Sequence, residues 1–83
     1  MHRTLWHSSD GRWEIAFWEY EKNPYYSRRV EVWDDYHGWL LTRRDRWGYI
    51  LFESPSAIPQ FVKDKVKKVY DLLDCLTDWL IHP

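Results

Sequence analysis

The sequence is short of the residues that would commit it to a chemistry. A single cysteine, Cys75, rules out an internal disulfide. The chain is therefore expected in a reducing compartment, the cytoplasm of a bacterium or of an infected host cell. Only three glycines are present, Gly11, Gly38 and Gly48, and each reads as part of a turn. None belongs to a glycine-rich cradle for a phosphate. An excess of either charge is also missing, since the net charge is −1 with histidine neutral. That argues against a generally basic nucleic-acid binder and against an acidic mimic of DNA. There is no apolar run long enough to span a bilayer and no charged-then-apolar leader, so a soluble protein is expected. Internal repeats, linkers and low-complexity tracts are absent.

Aromatic side chains, in contrast, are plentiful. Seven Trp, six Tyr and three Phe occur in 83 residues. A chain of this length forms one domain, 1–83, and buries a modest fraction of its surface. Each aromatic can bury roughly 150–250 Å². One small core cannot hide them all, so some must lie at the surface or in an interface.

Residues 59–81 organise the rest. Val62, Val66, Val69, Leu73, Leu76 and Leu80 recur at alternating steps of four and three. This places them on one stripe of an α-helix. Pro59 disfavours helical geometry at Ile58, so the helix begins afresh there. Before it, Ser54 precedes Pro55 in the manner of a cap and first helical position. Asp64 and Lys68 stand in the favourable i,i+4 order. Asp71, Asp74 and Asp78 crowd the end where the helix dipole favours cations, and the arginines of the strands are candidates to relieve them.

Residues 1–53 read as an antiparallel β-meander. Short alternating runs at 3–7, 12–21, 27–34, 39–43 and 49–53 are separated by turn signals, including Asp10-Gly11. In 12–21, Trp13, Ile15 and Phe17 point one way and Glu14, Ala16, Trp18 and Tyr20 the other. Both faces near 16–18 are apolar, which calls for cover on both sides or a bulge. The expected fold is α+β: a four- to five-stranded antiparallel meander with one long C-terminal helix packed across it. Core positions are Trp13, Ile15, Phe17, Val30, Val32, Leu41, Leu51, Val62, Val66, Val69, Leu73 and Leu76.

About 23 helical residues span roughly 34 Å, whereas a six-residue strand spans about 20 Å. The helix should overhang its sheet, and its far half is the more apolar. A second copy of the chain is the simplest cover, with Leu72, Cys75, Leu76, Trp79 and Leu80 as the dimer interface.

No catalytic set, cofactor motif or metal site emerges. Asp34-Asp35-Tyr36-His37 holds metal-ligand residue types but reads as a polar turn in which an aspartate bonds its own backbone. His7-Ser8-Ser9-Asp10 holds triad residue types as neighbours on a turn, which is not triad geometry. Glu14, Glu19 and Glu21 read as a solvated face, and Cys75 as a small buried side chain. An arginine–aromatic cluster is more informative. Tyr25, Tyr26, Arg28, Arg29, Trp33, Trp39, Arg43, Arg44, Arg46 and Trp47 fall on two adjacent strands and their turns. Such residues suit a protein interface, single-stranded nucleic acid, or cation–π packing within the fold. Glu31, Asp34, Asp35 and Asp45 interleave with the arginines. Mixed charge favours a protein partner over phosphates.

The order of elements, with the strand-Asp10-Gly11-strand hairpin and the final helix, is similar to that of the single-stranded-DNA-binding transcriptional coactivators that dimerise through their helices. That resemblance implies a nucleic-acid role. The expected function is that of a small non-enzymatic binding protein, an adaptor or inhibitor of the kind encoded by phages and mobile elements. It would act on another protein, with single-strand binding as the alternative.

Overall fold

The computed structural model describes residues 2–22 and 25–74, and the backbone alone for 21–27 within them. Five strands form one sheet in the order of the chain: β1 (His2–His7), β2 (Trp13–Lys22), β3 (Tyr25–Asp34), β4 (Gly38–Arg44) and β5 (Ile50–Phe52). All neighbours are antiparallel. A 3₁₀ turn at Pro55–Ala57 and the helix α1 (Gln60–Asp74) follow. This is the α+β meander-plus-helix architecture that the alternation and the helical stripe imply.

The first turn shows how local chemistry sets the sheet. Gly11 adopts φ +75°, which only glycine takes without strain. The Ser8 hydroxyl accepts the Trp13 amide at 3.0 Å and donates to Asp10 at 2.5 Å, and Asp10 in turn accepts the Arg12 amide. The β2–β3 ladder then runs unbroken from Trp13↔Asp34 to Lys22↔Tyr25. The irregularity lies in β1 instead, between Thr4 and Trp6. There Leu5 has no opposite number, and both Leu5 and Trp6 pack against the core.

α1 covers one face of the sheet. Val62, Val66, Val69, Tyr70 and Leu73 are buried against Trp13, Ile15, Val30, Val32 and Leu40, with Phe17 at the margin. Two expected core positions are corrected. Leu40, not Leu41, is buried, and Leu51 is 43% exposed while Ile50 and Phe52 pack against the core. The pairings Val32↔Leu40 and Thr42↔Phe52 fix this parity. A one-residue change of register turns every side chain to the opposite face. Leu76 lies outside the described residues.

The last turn of α1 is fastened to β4. Arg44 forks onto Asp74 through both terminal nitrogens, one contact measuring 2.7 Å, and lies 5.5 Å over the Tyr70 ring. This relieves the acidic helix end as expected. Tyr70 Oη meets Thr42 Oγ1 at 2.8 Å, and Thr42 donates to the Val30 carbonyl at 2.5 Å. Since the threonine proton is committed to Val30, the phenol is the donor to Thr42. At the other end, Ile58 is extended, Pro59 O accepts the Val62 and Lys63 amides, and Ser54 makes no side-chain cap. Asp64 accepts from Gln60 at 2.9 Å.

The strand half of the expected length comparison is corrected, while the far end of the helix that was to overhang lies outside the described residues. β2 and β3 have 10 residues each, about 33 Å. α1 has 15, about 22 Å. The strands continue to either side of Asn23-Pro24 instead of ending short of it, so the β2–β3 ribbon is longer than a six-residue strand and longer than the 15 described helical residues. Residues 75–81 of the expected helix lie outside the described residues.

Candidate functional site

The face of the sheet opposite α1 has no element of the described chain packed on it. Alternation from the β2–β3 and β3–β4 registers assigns to it Glu14, Ala16, Trp18 and Tyr20 from β2, Arg29, Glu31 and Trp33 from β3, and Trp39, Leu41 and Arg43 from β4. His2, Thr4 and His7 join them from β1.

The aromatics of this face are organised. His2 stacks on Trp18 at 4.4 Å, and Trp18 lies nearly parallel to Tyr20 at 5.5 Å. Trp39 meets Trp18 edge-on at 5.2 Å and Trp33 at 5.4 Å. Trp18 belongs to β2 and Trp39 to β4, so their rings meet over β3. Beneath them Ala16 is fully buried and Glu31 nearly so. A roof of aromatic rings thus resolves the two-sided apolar stretch at 16–18. Glu31 accepts the Tyr20 hydroxyl at 2.7 Å, and Arg29 sits 5.1 Å over the Tyr20 ring. Burial, and then the Glu31 carboxylate, push the Tyr20 phenol above its ordinary value. The indole N–H of Trp18 is buried with no acceptor, an arrangement that costs about 1–3 kcal/mol.

The expected arginine–aromatic cluster is divided among several places. Trp33 and Trp39 come together, with Arg29 and Arg43 on the same face. Arg44 is on the helix side, tied to Asp74. Arg28 pairs across from Glu19, on the parity opposite to Arg29, and it is engaged. Arg46 and Trp47 form the β4–β5 turn, with the guanidinium 5.2 Å over the indole and Trp47 exposed. Tyr25 and Tyr26 begin β3 beside Lys22 and Glu21, and their side chains are not described. Of the expected dimer residues, Leu72 is exposed, while Cys75, Leu76, Trp79 and Leu80 lie outside the described residues.

Sequence reasoning left Glu14, Trp18, Tyr20 and His2 out of the surface. The signal was present in the even positions of β2. These carry Trp and Tyr although a single helix can cover only the odd ones.

Two further constellations lie elsewhere. Asp34, fully buried at the end of β3, accepts His37 Nδ1 at 2.5 Å and the Tyr36 amide at 3.3 Å, and has Arg12 Nε at 3.5 Å. Burial alone would raise its carboxyl. The His37 and Tyr36 hydrogen bonds and the Arg12 charge outweigh it and hold the carboxyl below its ordinary value. This is the polar turn expected for 34–37, and it also pins the β1–β2 turn through Arg12. A groove of about 1010 Å³ runs between the β4–β5 hairpin and α1, past Trp47, Tyr49, Lys63 and Lys67. Among its lining groups Arg44 pairs with Asp74, Asp64 accepts from Gln60, and Lys63 lies over the Phe52 ring. Among the described residues no group of three or more His, Cys, Asp or Glu is placed to hold a metal ion, and no helix is long and apolar enough to cross a membrane.

No protein-family model, curated protein or solved structure matches this chain. The likeness to single-strand-binding coactivators therefore rests on element order alone, and the functional reading rests on the surface just described.

Proposed function

We propose that the protein is a small non-enzymatic binding module, an adaptor or inhibitor acting in the cytoplasm, whose aromatic sheet face docks on another protein. One observation carries the reading. A single helix covers one side of the sheet, and the other side presents four interlocked aromatic rings, Trp18, Tyr20, Trp33 and Trp39, that no described element covers. Trp and Tyr supply large contact area at low entropic cost, which is why they concentrate at interface hot spots.

Charge supports a protein over single-stranded nucleic acid. On this face Arg29 and Arg43 are matched by Glu14 and Glu31, while Arg44 and Arg46 are directed elsewhere. Affinity for phosphates comes from neutralising them with a net basic surface. Capture of partners from a host lysate tests the proposal, with Trp39→Ala/Arg43→Glu as the comparison. The variant is expected to lose the partner while still unfolding cooperatively, at a somewhat lower midpoint because Trp39 packs on Trp18 and Trp33. Undiminished capture removes the surface from consideration. Tryptophan quenching by oligonucleotide with a steep salt dependence would instead establish the nucleic-acid alternative.

A second copy of the chain is proposed for α1 rather than for the sheet. Phe61 and Leu72 are both exposed, and they lie about three turns apart on one side of the helix. Light scattering should give twice the 10.4 kDa chain mass. A monomer mass at high concentration rejects this.

A further inference from the structure

The uncovered face is not uniform. His7, Glu14, Trp33 and Trp39 form one cross-strand line over β1, β2, β3 and β4, through the pairs His7↔Glu14, Glu14↔Trp33 and Trp33↔Trp39. At this line the surface opens into a concavity of about 450 Å³, walled by these four residues and Gly11. Trp33 and Trp39 meet at 62° and form a corner of two indole faces. Glu14 stands beside the corner, half-buried, with one carboxylate oxygen taken by the Thr4 hydroxyl at 2.8 Å. That bond holds the carboxylate in place and leaves further acceptor capacity. Trp33 is fixed by donating its indole N–H to Asp35 at 3.0 Å. Behind it, Gly38 leaves only van der Waals room, since a Cβ there would lie 3.9 Å from the Trp33 ring.

Among the described residues this lining contains one carboxylate and no lysine or arginine. Arg29 is occupied with Tyr20 and Arg12 with Asp34 and the Trp13 ring. Two indole faces attract a cation through their quadrupoles. A partly desolvated carboxylate at the same spot adds a charge-assisted hydrogen bond. An anion would meet Glu14 and Asp35, and a neutral apolar group would desolvate Glu14 without return.

We propose that the Glu14–Trp33–Trp39 corner is the anchoring pocket of the docking face and that it takes a cationic side chain, arginine or lysine, of a protein partner. The inference rests on the reading of this face as a protein-binding surface and specifies the chemistry of the partner. It assigns the key contact to three residues of the face.

Indole N–H signals in a two-dimensional NMR titration test it, with short blocked peptides centred on arginine, lysine or neutral citrulline as probes. Saturable shifts of the Trp33 and Trp39 signals are expected with the arginine or lysine peptide, and weaker ones by about fivefold or more with citrulline. Trp47, far from the corner, serves as the internal control. Glu14→Gln, which keeps the shape and the Thr4 contact, should weaken the cationic peptide by about fivefold. Absence of saturable shifts, or equal response to citrulline, overturns the inference. If the peptides fail while Trp39→Ala/Arg43→Glu still abolishes capture, the cationic anchor is wrong and the docking face stands. Peptide binding that Glu14→Gln weakens, with capture unaffected by the double variant, which lacks Trp39, would show a cation site that anchors no partner, and overturns the inference.

Discussion

Asp34 shows how much one side chain can carry in so small a domain. It is fully buried yet charged, and His37, the Tyr36 amide and Arg12 converge on it. A buried carboxylate is tolerated only when such donors replace water. Its carboxyl is held below its ordinary value of 3.8, so the folded state binds its proton less tightly than the unfolded chain does. The stabilisation is therefore present above the unfolded carboxyl's pKa, and it is lost as pH falls through the lower folded one. Asp34→Asn should cost about 1.5–3 kcal/mol at pH 7, the range for hydrogen bonds to charged groups. The difference from the parent should shrink as the pH is taken below 3.8. Urea unfolding of both proteins across that range is the check, and a pH-independent difference would show that Asp34 acts by shape and not by charge. The sequence indicated a polar turn here. It could not show that Arg12, from a different turn, completes the set, because that contact depends on the Trp13↔Asp34 register.

At the scale of elements, what was legible followed from period, and what was not followed from parity. The stripe Val62, Val66, Val69, Leu73 has a helical period that no strand shares, and all four are buried. In β4, Leu40 and Leu41 are adjacent and equally apolar, so alternation alone cannot choose between them. The Gly38 turn, at φ +77°, and the pairing to β3 make the choice. In β5 only Ile50–Phe52 is strand, too short for alternation to establish a face. The candidate surface was half-legible for the same reason. Adjacent arginines, such as Arg43 and Arg44, look like one patch in sequence and point to opposite faces in a strand. The chain Tyr70–Thr42–Val30 shows what this parity positions, since it links α1, β4 and β3. Tyr70→Phe should cost about 1 kcal/mol, because Thr42 keeps its bond to the Val30 carbonyl. Thr42→Val should cost about 1–3 kcal/mol, because it removes the buried acceptor of the Tyr70 phenol and the side-chain donor to the Val30 carbonyl. The double variant should cost less than the sum, as expected for members of one network. Strict additivity in denaturant unfolding would dissolve the network.

For the molecule as a whole, the sheet has two faces with different work. The face toward α1 holds the buried Trp13, Ile15, Val30, Val32 and Leu40, and in a domain this size that core sets stability. The opposite face holds aromatic rings that bury one another only in part, an arrangement that folding alone does not require of a one-helix sandwich. The division has a measurable consequence: damage to the two faces should separate. Val66→Ala removes two methyl groups from a fully buried position and should cost about 1.5–3 kcal/mol. In a domain of this size that lowers the melting temperature by several degrees at the least. Below the transition the aromatic face is untouched, so partner capture, and the Trp33 and Trp39 response to a cationic peptide, should match the parent. Arg43→Glu lies on an exposed position of the other face and should leave the melting temperature within about a degree or two, as surface changes do. Its reversed charge should weaken capture. Thermal melts and capture measured on the same two variants decide the point. If Val66→Ala loses binding at temperatures where it is fully folded, the aromatic face takes its shape from strain in the core, and the two sides of the sheet are one cooperative unit.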